Sequence, residues 1–177
     1  MPGEPLGREL RFKRLTTENW LTVDPTWADF VMSQSHPDPG KAWVTDILAP
    51  NLNESAPMPV VRLFEVARGA LVYGLAFYPL LVIGLDQLTR VVEAAAAAKC
   101  AELGAPPGVN RYARYVDWLV ANGVIHPDHE QRWRAAVALR NETSHPDEQN
   151  LYPPGWVLGL LDGTVEMISH LYPIPPA

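Results

Sequence analysis

Residues 59–104 read PVVRLFEVARGALVYGLAFYPLLVIGLDQLTRVVEAAAAAKCAELG. How this run is read decides the fold. Its centre, Gly69 to Leu85, holds 17 residues without a charge, the lower limit for a helix that crosses a bilayer. The run also carries Gly69, Gly74, Pro79 and Gly84, and its flanks are Arg68 and Asp86 rather than a cationic anchor. A helix that is apolar all round is one covered by neighbours on every side, so the run reads as the central element of a helical bundle. Val60 to Tyr78 is predicted helical, and Leu80 to about Leu103 continues it. Pro79 removes one backbone bond and is expected to kink this long first helix. The alanine run has high helix propensity. Lys99 suits the negative end of the helix, and Gly104 is placed to close it in the left-handed conformation.

Three further helices follow. Asn110 is expected to cap one that runs to about Asn122, with Gly123 closing it. Tyr112, Tyr115, Val116, Leu119 and Val120 recur at the spacing of one buried face. Pro127 opens the next at a position where its missing N–H costs nothing, and Asp128 and Glu130 suit the positive first turn. Trp133, Ala136, Val137 and Arg140 share a stripe, so Arg140 prolongs the buried face. The helix should end at Ser144, because Pro146 biases His145 away from helical geometry. A last helix from Pro153 or Pro154 to Tyr172 turns Val157, Leu160, Leu161, Val165, Ile168 and Leu171 inward. No strand-like alternation or internal repeat is present. Residues 59–177 therefore read as an all-α, four-helix-bundle-like domain joined by short loops.

Upstream, residues 1–58 read as an N-terminal arm with short helices, packed on the main domain or on a second subunit. Asp24 followed by Pro25 is a helix start. The helix it opens should reach Gln34, with Trp27, Phe30 and Val31 on one face. SHPDPG (35–40) is a loop, Lys41 to Leu48 a second short helix, and residues 49–59 a break. Trp20, Trp27 and Trp43 argue against wholesale disorder, since disordered segments are poor in aromatics.

Composition narrows the function. With 14 basic and 20 acidic residues the net charge is -6 and the pI about 5.3, which argues against broad, non-specific coating of nucleic acid. A lone cysteine, Cys100, allows no internal disulfide and fits a reducing cytoplasm. Met1 is followed by Pro, Gly, Glu and charged residues rather than by an apolar core, so no secretory signal is expected, and no membrane partner either.

The stretch Arg140-Asn141-Glu142-Thr143-Ser144-His145 carries the chemistry. Arg140 is a permanent cation with planar donors that suit phosphate. His145 titrates near neutral pH and can take or give a proton, and Asn141 can donate and accept hydrogen bonds. Together they could act on a phosphodiester without metal or cofactor. On an ideal helix, five residues place Arg140 and His145 about 140° apart. The two therefore share a site only if His145 leaves the helix or if a two-fold mate brings a second copy into the same cleft. The competing reading is structural: cations near a helix C-terminus satisfy its last carbonyls and its dipole.

ALRNETSHP (138–146) resembles the signature of the HEPN superfamily (higher eukaryotes and prokaryotes nucleotide-binding domains): Arg, a polar residue often Asn, and His after four intervening positions, at the end of a helix. The surrounding order is similar too, with LVANGVI (119–125) closing the preceding helix, Trp133 leading into the motif and a further helix after it. The resemblance covers residues 60–172. It implies a four-helix bundle, a homodimer whose paired motifs line a cleft, and metal-independent endoribonuclease activity of the kind found in toxins and antiviral effectors. By motif match Arg140, Asn141 and His145 take the functional positions, RNA is the substrate, and a regulatory or antitoxin protein is an expected partner. Some members carry a tyrosine two residues after the His; here that position is Asp147, so control through that residue is not supported.

Arg111, Arg114, Arg132 and Arg134 make residues 111–140 locally basic and form a candidate RNA track, or else a solvated face with local ion pairs. Glu93 and Arg90 read as a buried pair near the site or as a surface edge. His126, His129 and His145 with Asp128 invite a zinc site, but Pro127 interrupts them and no further ligand cluster is evident. His36 and His170 read as ordinary loop and helix residues. The reading reached is a dimeric HEPN-type endoribonuclease; the alternative is a non-catalytic helical module that binds protein, nucleotide or RNA.

Overall fold

A computed structural model describes residues 12–29, 38–143 and 152–175. Among them the chain is all-helical, with no strand: a 3-10 turn over Pro25–Asp29, then α1 (Pro39–Leu48), α2 (Met58–Tyr73), α3 (Pro79–Glu102), α4 (Tyr112–Ala121), α5 (Pro127–Thr143) and α6 (Pro154–Leu171). None of these helices is long and apolar enough to cross a membrane.

The element expected to be one kinked helix is two. α2 stops at Tyr73, residues 74–78 form a turn, and Pro79 starts α3 at its first turn. Pro79 thus sits where its missing N–H is no loss, rather than inside a helix where it would bend the ladder. The two helices fold back on each other. Gly74 faces Leu81, and one turn further along Gly84 faces Leu71, so numbers rise on one helix as they fall on the other. At Gly84 a Cβ would lie 2.7 Å from the Leu71 side chain; only glycine permits this approach.

A break of this kind leaves carbonyls at the end of α2 and N–H groups at the start of α3 without helical partners. The arm supplies them. Trp43 Nε1 donates to Leu71 O and Trp27 Nε1 to Gly74 O, each at 3.0 Å. Asp24 N donates to Leu75 O at 2.9 Å. The Asp24 carboxylate, wholly buried, accepts from Tyr78 N at 2.9 Å, from Thr26 N at 3.0 Å and from Thr26 Oγ1 at 2.8 Å. The two indoles meet edge-on at 4.8 Å and join the same buried cluster as the bundle helices. Phe30, Val31 and Gln34 lie outside the described residues. Asp38 caps α1 by accepting from Lys41 N, so that helix begins at Pro39 rather than Lys41.

α3 is the central helix, packed against α2, α4, α5 and α6. Tyr78 Oη exchanges hydrogen bonds with Tyr152 at 2.7 and 3.0 Å, and Tyr172 Oη donates to Ala95 O at 2.9 Å. These pins set α6 parallel to α3. α4 and α5 form a second antiparallel pair, crossed by Arg134 Nη1 on Asp117 at 2.9 Å. The expected closing glycines hold: Gly104 and Gly123 have φ of 74° and 68°. Asn110 does not cap α4; Arg111 occupies that position and its side chain makes no capping bond.

Replacing Asp24 with Ala should therefore lower stability by about 3 kcal/mol, because Tyr78 N–H and Thr26 are left buried without acceptors. Urea denaturation measures it, and a loss below about 1 kcal/mol would show that the carboxylate does not hold the turn.

Candidate functional site

The apolar stripe of α5 packs inward through Trp133, 1% exposed, with Ala136 and Val137 partly buried. Arg140 continues that stripe, as its spacing predicts. Its Nε donates to Glu93 Oε2 on α3 at 3.1 Å, with the two side chains 23% and 32% exposed. Glu93 is therefore neither partner to Arg90 nor a loose surface group. Arg90 is bound within its own helix to Asp86 at 2.9 Å and faces solvent. The signal for Glu93 was present in the sequence as the one carboxylate inside VVEAAAAA, but nothing local says that its partner stands 47 residues away. Asn141 is exposed in the last turn of α5. His145, with Ser144 and Pro146, lies outside the described residues, as does His36.

Tyr112 adds a third group that sequence reasoning counted only as core. It opens α4, is 6% exposed, and its phenol oxygen is buried without a hydrogen-bond partner among the described residues. Burial first, and the negative Glu93 second, push its ionisation far above the ordinary tyrosine range. Glu93, Arg140 and Tyr112 thus bring α3, α5 and α4 to one place: a carboxylate and a guanidinium in partial burial, beside an unbonded phenol.

The four arginines proposed as a track separate into two kinds. Arg132 is paired with Glu166 of α6, and Arg134 with Glu130 at 2.7 Å and Asp117 at 2.9 Å. Arg111 and Arg114 are exposed and make no ion pair among the described residues. Asp117 and Arg134 face each other across the antiparallel pair. Arg111 is the extended residue just before α4.

The histidines fall elsewhere. His170, read as an ordinary helix residue, places its ring 4.1 Å from that of His129, and His126 lies 6.3 Å from His129. No group of three metal-ligand side chains among the described residues could hold an ion; His145, which belongs to the zinc set read from the sequence, lies outside them. Comparison with protein-family models, with curated proteins and with solved structures finds no match to this chain.

Two outcomes test the burial. Tyr112→Phe removes a polar oxygen that has no partner among the described residues and should raise stability by about 1 kcal/mol; a loss instead would show that the hydroxyl is bonded. The second concerns alkali. Burial raises the ionisation of Cys100, Tyr78, Tyr112 and Tyr172 in the folded chain. Below about pH 8.5 both folded and unfolded chains keep these protons, and their contribution is fully present. Above it the unfolded chain releases protons that the folded chain retains, first the thiol and near pH 10 the phenols, so stability falls as pH rises. Urea midpoints at pH 8, 10 and 11 should decrease in that order. Equal midpoints would refute the assignment.

Proposed function

We propose that this chain is a metal-independent endoribonuclease of HEPN type, acting as a homodimer on exposed phosphodiesters in single-stranded or loop RNA. The observation that carries the reading is Arg140. It stands in the signature ALRNETSHP, prolongs the buried stripe of α5, and is held through Nε by Glu93. A cation fixed at a helix end by a partly buried carboxylate is positioned in advance, so it loses little freedom in meeting charge that grows on phosphate.

In the proposed reaction the 2′-oxygen bonds to phosphorus and the bond to the 5′-oxygen breaks. The 2′-hydroxyl proton passes to a base and a proton is delivered to the leaving 5′-oxygen. His145 handles one or both of these protons, Arg140 stabilises the five-coordinate phosphorus, and Asn141 orients the phosphate. Pairing two motifs across a two-fold axis supplies two histidines and two arginines to one cleft. Arg111 and Arg114, exposed and without ion pairs among the described residues, guide the backbone. Arg132 and Arg134 are already neutralised by carboxylates and contribute less. Such an activity requires restraint, and a regulatory or antitoxin protein is the proposed partner.

The Glu93 pair also favours a second reading. An arginine satisfied inside its own subunit is what a purely structural helix end produces, and the chain would then be a non-catalytic helical module that binds protein, nucleotide or RNA. Cleavage of diverse RNAs by wild type, Arg140→Ala and His145→Ala, each with and without EDTA, separates the two. The nuclease reading expects cleavage that EDTA does not affect and that falls at least about 100-fold in either variant. Absence of cleavage by wild type, or variants as active as wild type, leaves the binding module.

A further inference from the structure

We propose that Tyr112 is a positioning residue of the same site, a role that rests on the reading of Arg140 as a phosphate ligand. When phosphate meets Arg140, the Tyr112 hydroxyl donates to Glu93, the carboxylate that holds Arg140. The first observation is an unsatisfied group. Tyr112 is 6% exposed, and its oxygen makes no hydrogen bond among the described residues. A buried hydroxyl in that condition costs stability, and phenylalanine would fill the space without the cost. Unsatisfied groups of this kind are uncommon in folded chains and mark places where function sets the side chain.

An acceptor stands close by. α3, α4 and α5 pack against one another in pairs, and Glu93 on α3 is near enough for its charge to oppose ionisation of the phenol. Glu93 gives one oxygen, Oε2, to Arg140 Nε at 3.1 Å. Its other oxygen, Oε1, takes no hydrogen bond among the described residues. A carboxylate can accept about four hydrogen bonds across its two oxygens, so Glu93 has capacity for Arg140 and Tyr112 together. A buried donor without an acceptor thus lies beside the one carboxylate that fixes the arginine.

In the free chain the two groups do not bond. Hydrogen bonds of a functional site are often long without ligand and close when it binds. Phosphate on Arg140 shares the charge of the guanidinium and leaves Glu93 less well neutralised, which strengthens the demand for a second donor at a half-sheltered carboxylate. Closing the Tyr112–Glu93 bond satisfies both groups and stiffens the support of Arg140. Because the relief comes only in the complex, it adds to binding and not to the stability of the free chain.

The test binds the full chain to a randomised 2′-O-methyl RNA of about twelve nucleotides, followed by fluorescence anisotropy. This probe lacks the 2′-hydroxyl nucleophile and stays intact. Wild type should bind, and Arg140→Gln should weaken binding at least about tenfold. Tyr112→Phe should weaken it about fivefold while raising the urea midpoint of the free chain; a side chain with a structural role alone moves both in one direction. In a Glu93→Ala background, Tyr112→Phe should change the affinity by less than about twofold, because the hydroxyl acts through that carboxylate. No binding by wild type, or binding that Arg140→Gln leaves unchanged, sinks the phosphate reading of Arg140 and the role of Tyr112 with it. Binding that depends on Arg140 but is equal in wild type and Tyr112→Phe, or a Tyr112→Phe loss that persists in Glu93→Ala, overturns the role of Tyr112 alone.

Discussion

The turn at residues 74–78 is the constraint on which the rest depends. The break between α2 and α3 leaves backbone groups at a largely apolar turn where Leu71, Gly74 and Tyr78 are buried. The carbonyls of Leu71, Gly74 and Leu75 and the N–H of Tyr78 are instead met by Trp43, Trp27 and Asp24. Unmet, each of these groups would cost about 1–3 kcal/mol. The arm is thus a component of the bundle: two indoles supply both apolar area and one donor each, which suits Trp to a buried helix end.

Once the hairpin is closed, α3 is fixed as the axis, and the remaining helices are referred to it. Tyr78 and Tyr172 pin α6 near its two ends, and the Glu93–Arg140 bond ties α5 to the middle of α3. The pair is half-sheltered, so solvent screens it less than a surface pair, yet water still reaches it. That environment suits an arginine held in place rather than buried for stability alone. It is also why the same bond is compatible with a catalytic and with a structural account of the motif.

Much of this was legible in the chain. The 3.6-residue spacing of Tyr112, Val116 and Leu119, the opening prolines at 127 and 154, and the closing glycines at 104 and 123 fixed helix positions because those signals act within a few residues. The buried stripe that contains Arg140 was legible for the same reason. Pro79 was misplaced by this logic: a proline inside a continuous apolar run reads as a kink, and only the packing of Leu71 against Gly84 makes the chain reverse there instead. Asn110 lost the cap of α4 to its neighbour Arg111, a shift of one residue that local preference cannot resolve.

What the sequence by itself determined is the helical class, the order of the bundle helices and the inward face of each, all of which follow from short-range periodicity and end signals. What only the tertiary structure decided is who meets whom: Trp27 and Trp43 on the end of α2, Glu93 on Arg140, the phenol of Tyr112 beside them, and His129 against His170. These contacts join residues up to 47 positions apart, and no local preference encodes them. They arise because polar groups left unsatisfied by helices, and apolar faces left uncovered by them, must find partners wherever the packed chain brings them.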